Sequence, residues 1–225
     1  MVSIEKNWNR EEMVKDLLEL YAMRKQEIRN RLEEFKDVFN QSDEKVFSEL
    51  AFCILTPQSK ATTSWNAIKS LERNNLLLKG TQEQIRPFLQ AVRFGENKSK
   101  YLVEARKLFI ESGELNIKEK LSDVKNNPIL LREWLLKNVK GLGMKESSHF
   151  IRNIGLSKNQ LAILDVHILK NLKELGLIED IPKSLTKKRY LEIEAKMKRF
   201  ADKIGISIDE LDILLWSKET GIIFK

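Results

Sequence analysis

Cysteine is almost absent from this chain of 225 residues, since Cys53 is the only one. A single thiol excludes an intramolecular disulfide and any iron–sulfur or zinc site built on four cysteines. Cys53 stands in the apolar run of residues 50–55, so we expect a core side chain and not a reactive thiol. We predict no metal-binding site.

Long apolar runs are also missing. No stretch approaches the roughly 20 residues that a membrane-spanning helix needs. The N-terminus carries acidic residues and no apolar segment of the kind that secretory signals contain. The sequence therefore predicts a soluble, cytoplasmic protein without a membrane partner. No surplus apolar stripe indicates an oligomer, so we expect a monomer.

Charge is not balanced. Lysine and arginine number 40 against 33 acidic residues, which gives a formal net charge of +7. A basic surface favours a polyanionic partner such as nucleic acid. The alternative is a lysine-rich surface that is merely solvated.

The chain has only 9 glycines and 4 prolines, and helical patterns run through nearly all of it. Helix starts are indicated by N-cap residues and capping boxes at Ser42, Thr81, Asn127, Thr186 and Ser207. We expect an all-α fold of roughly ten helices. No composition shift marks a linker, so residues 1–225 are predicted to form a single domain of two helical lobes with a cleft between them.

A glycine turn lies between two amphipathic segments, at residues 129–138 and 144–155. Gly141 and Gly143 form a G-x-G turn that predicts a helix–hairpin–helix over about 129–155. Glycine lets the backbone approach a phosphate, and the second helix presents its N-terminal N–H groups to the anion. We therefore predict DNA contacts at Lys140, Gly141 and Gly143. Many αα-hairpins use glycine only to turn, which is the alternative.

Lys145 follows the turn, and Asp165 comes 20 residues later. The positive end of a helix disfavours an ammonium and so favours the neutral amine that a nucleophile needs. A carboxylate held at a helix start can stabilise positive charge that develops in a reaction. The alternatives are a surface lysine and an aspartate that serves only as an N-cap. A turn that can bind phosphate, an amine nucleophile and a carboxylate together indicate chemistry on a nucleic-acid sugar.

Five blocks of sequence carry a resemblance to a known family. They read G-L-G-M-K-E-S-S-H-F-I-R-N-I-G (141–155), A-I-L-D-V-H-I-L (162–169), L-T-P-Q-S-K-A (55–61), V-R-F-G-E-N-K-S-K-Y-L (92–102) and L-L-W-S-K-E-T-G-I-I-F-K (214–225). The chain resembles the helix–hairpin–helix superfamily of DNA base-excision glycosylases. Within it, the chain is similar to the archaeal-type 8-oxoguanine DNA glycosylase/AP lyases, which also occur in some bacteria. Lys140 stands where the broader superfamily usually has proline before the first glycine.

The resemblance implies a bifunctional DNA repair enzyme of a prokaryotic cytoplasm that acts on double-stranded DNA containing 8-oxoguanine. The damaged nucleotide would leave the duplex, because an amine cannot reach its sugar inside the stack. Lys145 would attack that sugar and form a Schiff base, the base would depart, and β-elimination would nick the strand. Asp165 would stabilise the cationic sugar. No cofactor is required, although a monovalent cation at the hairpin carbonyls near Gly141 and Gly143 is implied by the family.

The resemblance also maps a base pocket onto this sequence. Phe94 and Trp216 would stack on the base, and the terminal carboxylate of Lys225 would accept N–H bonds from the purine edge. Pro57 and Gln58 would lie at the rim, where a backbone acceptor could recognise the N7–H that distinguishes 8-oxoguanine from guanine. Trp216 could instead be a core residue, since it follows two leucines.

His149 and Arg152 are further candidates for DNA contacts, and His149 lies on the same helix face as Lys145. A packed structural role for His149 is the alternative. Lys98, Lys100 and Lys170 are candidates for salt-sensitive phosphate contacts. Two other functions stay open: a glycosylase of the same fold for another oxidised base, and a non-catalytic helix–hairpin–helix module that binds DNA.

Overall fold

The computed structural model describes the backbone of residues 2–225 and the side chains of residues 10–225. The expectation about a secretory signal rests largely on residues 1–9, whose side chains lie outside this range. The described chain is helical apart from two very short strands. It divides into two compact units, which we call unit 1 (Met1–Glu34 and Asn159–Lys225) and unit 2 (Phe35–Lys158).

Twelve α-helices are present in the described chain, with one 3₁₀ helix at Arg86–Leu89. Their bounds are α1 Val2–Val38, α2 Asp43–Leu55, α3 Ala61–Arg73, α4 Leu76–Lys79, α5 Gln82–Ile85, α6 Gly95–Phe109, α7 Ile117–Lys120, α8 Pro128–Asn138, α9 Met144–Asn153, α10 Val166–Glu174, α11 Lys187–Ile204 and α12 Ile208–Thr220. The all-α prediction is confirmed. The expected number of helices was too low because three helices of four residues each carry no periodic signal.

Helix starts follow the sequence signals. All five N-cap side chains accept a backbone N–H from the first turn of the helix that they precede, namely Ser42, Thr81, Asn127, Thr186 and Ser207. Thr81 and Ser207 also complete the predicted capping boxes, with Gln84 and Glu210. Caps of this kind satisfy N–H groups that have no partner within the helix.

Helix α2 forms the centre of unit 2. Every residue from Val46 to Leu55 is buried, and Cys53 lies among them as expected. Helices α3, α6, α7 and α9 pack around α2. A helix that is apolar on all sides is stable only when neighbours cover it completely. The core of unit 2 therefore sits on α2, and the loops at its ends are anchored by that core.

The two strands form a hairpin in unit 2, with β1 at Ile110–Glu111 and β2 at Glu114–Leu115. Ser112 and Gly113 make the turn, with φ angles of 52° and 86°. Positive φ at both central residues is typical of the tight turn that matches the twist of two strands. Strands of two residues have no alternation to detect, so the sequence pattern did not reveal them.

Unit 1 contains α10, α11 and α12 together with residues of α1. Glu210 of α12 accepts hydrogen bonds from Tyr21 (3.0 Å) and Arg29 (2.8 Å), both on α1. Its other oxygen accepts the N–H and hydroxyl of Ser207. Burial would raise the pKa of Glu210, but the bonds from Arg29, Ser207 and Tyr21 outweigh burial and hold that pKa below its ordinary value. No helix in the described part of the chain is both long and apolar enough to span a bilayer.

Candidate functional site

The predicted hairpin is present in unit 2, formed by α8 and α9. Arg132 of α8 is fully buried and donates to the Ser148 hydroxyl of α9 at 3.1 Å, which ties the two helices together. Gly141 lies in the connecting turn with φ of 90°. A Cβ at this glycine would stand 2.6 Å from the ring of Tyr101, so both the backbone angle and the space require glycine.

The first turn of α9 holds Lys145 beside a carboxylate. The Lys145 Nζ lies 3.1 Å from Glu146 Oε1, and the lysine side chain is 23% exposed. The second oxygen of Glu146, Oε2, accepts the N–H of Gly143 at 3.1 Å. The same glutamate therefore fixes the glycine turn and contacts the amine. Glu146 had no assigned function in the sequence analysis, although its place after Lys145 in an N-terminal turn was a usable signal.

Lys98 of α6 is only 3% exposed, and its amino group is enclosed by oxygen atoms. It donates to the carbonyls of Leu55 (2.7 Å) and Pro57 (2.6 Å) and to the hydroxyl of Ser59 (3.2 Å). Burial lowers the pKa of Lys98 to about 8; repulsion by Lys145 adds to this, and Glu146 opposes it. The prediction that Lys98 contacts a DNA phosphate is wrong, because its donors are directed into unit 2.

A pocket of about 260 Å³ opens in unit 2 next to these residues. Its lining includes Pro57, Phe94, Lys98, Tyr101 and Gly141. Hydrogen-bonding groups on an otherwise apolar wall are typical of sites that bind small ring systems. The pocket thus joins two residues predicted from the base-recognition blocks with one glycine of the hairpin.

Two of the predicted base-binding residues have an unusual backbone. Gln58 and Phe94 have φ angles of 55° and 59°, in the left-handed region that side chains other than glycine seldom adopt. Phe94 is 51% exposed, and the Arg93 guanidinium lies 5.0 Å from its ring centre. Strain of this kind costs on the order of 1–3 kcal/mol per residue and is concentrated at functional sites. An exposed aromatic ring held in this way is available for stacking.

Asp165 lies in unit 1 and caps α10. Its Oδ1 accepts the N–H groups of His167 and Ile168, each at 2.9 Å. The second oxygen, Oδ2, takes part in neither bond. The capping role is therefore present, and it holds the carboxylate in one orientation.

The other predicted residues of unit 1 are partly accessible. Trp216 is half-buried on α12, and the ring of His167 meets it edge-on at 6.4 Å between ring centres. Lys225 is also half-buried. An indole with a partly open surface fits a stacking role better than the core role that the sequence left as the alternative.

His149 and Arg152 lie inside unit 2, which does not support the DNA contacts predicted for them. The His149 ring packs edge-on against Phe52 at 5.5 Å, and the Arg152 guanidinium lies 5.4 Å from the ring of Phe35. Arg152 also donates to Asn153, whose amide donates to the buried Glu49. These residues join α9 to the core. Helical spacing placed His149 near Lys145 correctly but did not give the depth of its side chain.

Within the turn, Lys140 and Gly141 are exposed and Gly143 is half-buried. The Lys140 Nζ lies 3.7 Å from Glu104 at the surface, so it remains accessible to a phosphate. The N–H of Gly143 is already bound to Glu146, which leaves the positive end of α9 and the other backbone groups of the turn for an anion. An amine at a helix start, next to a pocket and an exposed turn, can attack an electrophilic carbon of a bound polyanion.

Comparison with known proteins agrees with this geometry. A family model described as 8-oxoguanine DNA glycosylase matches residues 28–206. A Fusobacterium nucleatum protein named 8-oxoguanine DNA glycosylase/AP lyase is 45% identical over 95% of this chain and 98% of its own length. A protein of the same name from Korarchaeum cryptofilum is 39% identical over 96% of this chain and 99% of its own.

Solved structures show the same similarity. The Methanocaldococcus jannaschii 8-oxoguanine glycosylase/lyase, in complex with 15mer DNA containing 8-oxoguanine, has a TM-score of 0.84 and 34% identity. The match covers 94% of this chain and 99% of the other. The 8-oxoguanine DNA glycosylase of Thermotoga maritima has a TM-score of 0.81 and 36% identity, over 96% of this chain and 100% of the other.

Proposed function

Because this chain belongs to the 8-oxoguanine DNA glycosylase family, we propose that it excises 8-oxoguanine from double-stranded DNA and then cuts the strand. The observation that carries the proposal is the hairpin with Lys145 at the start of its second helix, beside a pocket of base size in unit 2. The names of the relatives, which include both glycosylase and AP lyase, support the two-step activity.

Lys145 is proposed as the nucleophile. Its neutral amine attacks C1′ of the flipped nucleotide, and the bond from C1′ to the base breaks, with its electron pair leaving on the base. Opening of the sugar gives a Schiff base between Lys145 and C1′. Loss of a proton from C2′ then expels the 3′ phosphate oxygen by β-elimination, which cuts the strand. Water finally releases the lysine, so each step balances without a redox partner.

Asp165 is proposed to stabilise the positive charge that builds on the sugar. The bonds from the N–H groups of His167 and Ile168 to Oδ1 keep the carboxylate fixed, while Oδ2 takes part in neither. A fixed negative charge costs no reorganisation when the reaction occurs. Capping and catalysis are thus compatible uses of one side chain.

The residues proposed to bind the base are those that the family resemblance identifies. Phe94 and Trp216 stack on the base, and the terminal carboxylate of Lys225 accepts N–H bonds from the purine edge. Pro57 and Gln58 border the base, with the Pro57 carbonyl as acceptor for N7–H. Lys140, Gly141 and Gly143 grip the DNA backbone through the exposed turn.

A monovalent cation at the hairpin carbonyls remains a prediction. The carbonyl of Gly143 accepts the N–H of Ser147 as the first bond of α9, and it would have to serve both. No step proposed here passes through the cation. Action in a prokaryotic cytoplasm as a monomer also remains a proposal.

The test is cleavage of labelled duplexes that carry one 8-oxoguanine, one thymine glycol or no lesion. We expect cutting of the first duplex without alkali, and little of the others. Preferential cutting of thymine glycol would assign the fold to another oxidised base. Binding without cutting would indicate a non-catalytic DNA-binding module. Removal of Lys225 should lower the preference for 8-oxoguanine over guanine, because the carboxylate would be displaced along the chain.

A further inference from the structure

The amino group of Lys98 donates three hydrogen bonds to the end of α2 and the loop that follows it. Two of its three acceptors, Pro57 and Ser59, lie in the segment that connects α2 to α3, and the third, Leu55, is the last residue of α2. This segment includes Gln58, whose backbone is left-handed. A loop with a strained residue persists only if other interactions determine its conformation. The three hydrogen bonds from the charged amino group of Lys98 can fix the conformation of this loop.

Ser59 extends the connection to the segment that contains Phe94. Its hydroxyl oxygen also accepts the N–H of Arg93 at 3.0 Å. Arg93 precedes Phe94, the exposed ring in the left-handed conformation at the start of α6. Lys98 and Ser59 therefore link the segment of Pro57 and Gln58 to the segment that presents Phe94. Both segments contribute to the lining of the same pocket.

We propose that Lys98 is a positioning residue for damaged-base recognition, which fixes the Pro57 carbonyl and, through Ser59, the Phe94 ring around the pocket. A carbonyl oxygen has two lone pairs, and the bond from Lys98 uses one of the pair on Pro57. The other is the acceptor for the N7–H of 8-oxoguanine. The inference rests on the proposed function and adds a residue that touches neither the sugar nor the base.

Two simpler roles make different predictions. Lys98 could serve only as a cap, since a lysine that binds the last carbonyls of a helix stabilises its C-terminus. It could also act only on Lys145, whose charge it repels. Removal of Lys98 would then change all amine chemistry in proportion, because base excision and cutting at an abasic site use the same nucleophile. Only the positioning role affects base excision more than cutting.

The experiment measures two rates under single-turnover conditions for Lys98→Met. The first is release of 8-oxoguanine from a duplex, and the second is cutting of a duplex with a preformed abasic site, which has no base to recognise. We expect the ratio of the first rate to the second to fall by about tenfold or more, the effect of losing one charged hydrogen bond in positioning. Lys107→Met is the matched control, because Lys107 is exposed on the same helix.

Ser59→Ala provides a milder variant if Lys98→Met does not fold. It removes the link to Arg93 and leaves the bonds from Lys98 to both carbonyls, so we expect a smaller fall of the same ratio, about threefold. Circular dichroism reports the folded fraction in every sample, independently of either rate. If the wild type excises 8-oxoguanine and the ratio is unchanged in these variants, the inference about Lys98 is overturned and the proposed function stands. A wild-type protein that releases no base would overturn the proposed function itself.

Discussion

Each unit contains a buried charged side chain that collects several polar partners, and the two clusters differ in where the partners lie. In unit 1, Glu210 of α12 binds Tyr21 and Arg29 of α1 together with Ser207, the cap of α12. In unit 2, Lys98 binds Leu55, Pro57 and Ser59, at the end of α2 and in the loop that follows. One cluster joins helices, and the other organises a loop beside a pocket.

Burial of a charge therefore does not by itself indicate function. Buried ionic groups are costly and persist in frameworks as well as in active sites. The informative property is the kind of structure that the partners belong to. Glu210 connects elements that are already regular, whereas Lys98 and Ser59 connect the two segments that contain Gln58 and Phe94, both of which have left-handed backbone. The following variants test this distinction.

Among the variants that test this contrast, Asp165→Asn should have the largest effect, and it tests whether unit 1 is more than a framework. Asparagine is as good an N-cap as aspartate, but it has no negative charge. We expect excision to slow by about a hundredfold through the lost charge stabilisation. The free energy of unfolding should change little. Measured rates and urea unfolding curves of Asp165→Asn and Asp165→Ala separate the two roles.

Asp165→Ala should also excise the base slowly. Its free energy of unfolding should be lower by about 1 kcal/mol, because the cap is lost. Equal excision rates in the wild type and Asp165→Asn would confine Asp165 to capping. Unit 1 would then contribute no charge to the chemistry.

Glu210→Gln should lower stability by about 2 kcal/mol at neutral pH, since it removes charged hydrogen bonds from a buried position. The folded state holds the pKa of Glu210 below its ordinary value of 4.5. The stabilisation is therefore present above that value and is lost as the pH falls through the lower pKa of the folded state. Urea unfolding from pH 7 to pH 3 should show the two proteins converging in acid.

Glu192→Gln is the matched control for Glu210, because Glu192 is an exposed member of a surface pair with Arg189. Such a pair contributes about 0.5 kcal/mol or less. The rate of 8-oxoguanine release per folded molecule should be unchanged in Glu210→Gln. A large loss of this rate in Glu210→Gln would show that the Glu210 cluster contributes to base release, and the two clusters would then not differ in function.

Gly141→Ala should lower stability by a similar amount, and it should also weaken DNA binding selectively. Its φ of 90° disfavours alanine, and the new Cβ would meet Tyr101. Gly113→Ala has a similar φ of 86° and open space around the Cβ, so it isolates the backbone effect. We expect losses of about 2 kcal/mol and about 1 kcal/mol respectively.

Duplex affinity distinguishes the two glycines further. Only Gly141→Ala should weaken binding of undamaged duplex, measured by fluorescence anisotropy at fixed salt, because only Gly141 lies in the turn between α8 and α9. Equal affinities for the two variants would show that the turn does not contact the DNA backbone.

The helices and the hairpin were predictable because their signals are local. Caps such as Ser42 and Thr186 fix helix starts by hydrogen bonds within three residues, and the sequence contains both partners. The hairpin was predicted at 129–155 and is found with α8 at Pro128–Asn138 and α9 at Met144–Asn153. Asp165 is found at the N-cap of α10, the role that the sequence offered as the alternative, while its catalytic role stays a prediction.

Features that depend on distant residues were not predictable in this way. Lys98 was assigned to the DNA surface, but its partners lie 39 to 43 positions earlier in the chain. His149 and Arg152 were assigned to DNA for the same reason, because spacing gives the face of a helix and not its depth. The left-handed conformations of Gln58 and Phe94 also follow from their surroundings, since neither residue type favours them.

Covalent trapping shows whether Lys145 is the nucleophile. Borohydride reduces a Schiff base to a stable adduct that survives a denaturing gel. The substrate is a duplex that carries 8-oxoguanine opposite cytosine. We predict an adduct for the wild type and for the control variant Lys137→Gln, because Lys137 is an exposed lysine of α8. Lys145→Gln should give no adduct and an excision rate lower by more than about a thousandfold. An adduct that persists at full yield in Lys145→Gln would show that another amine is the nucleophile.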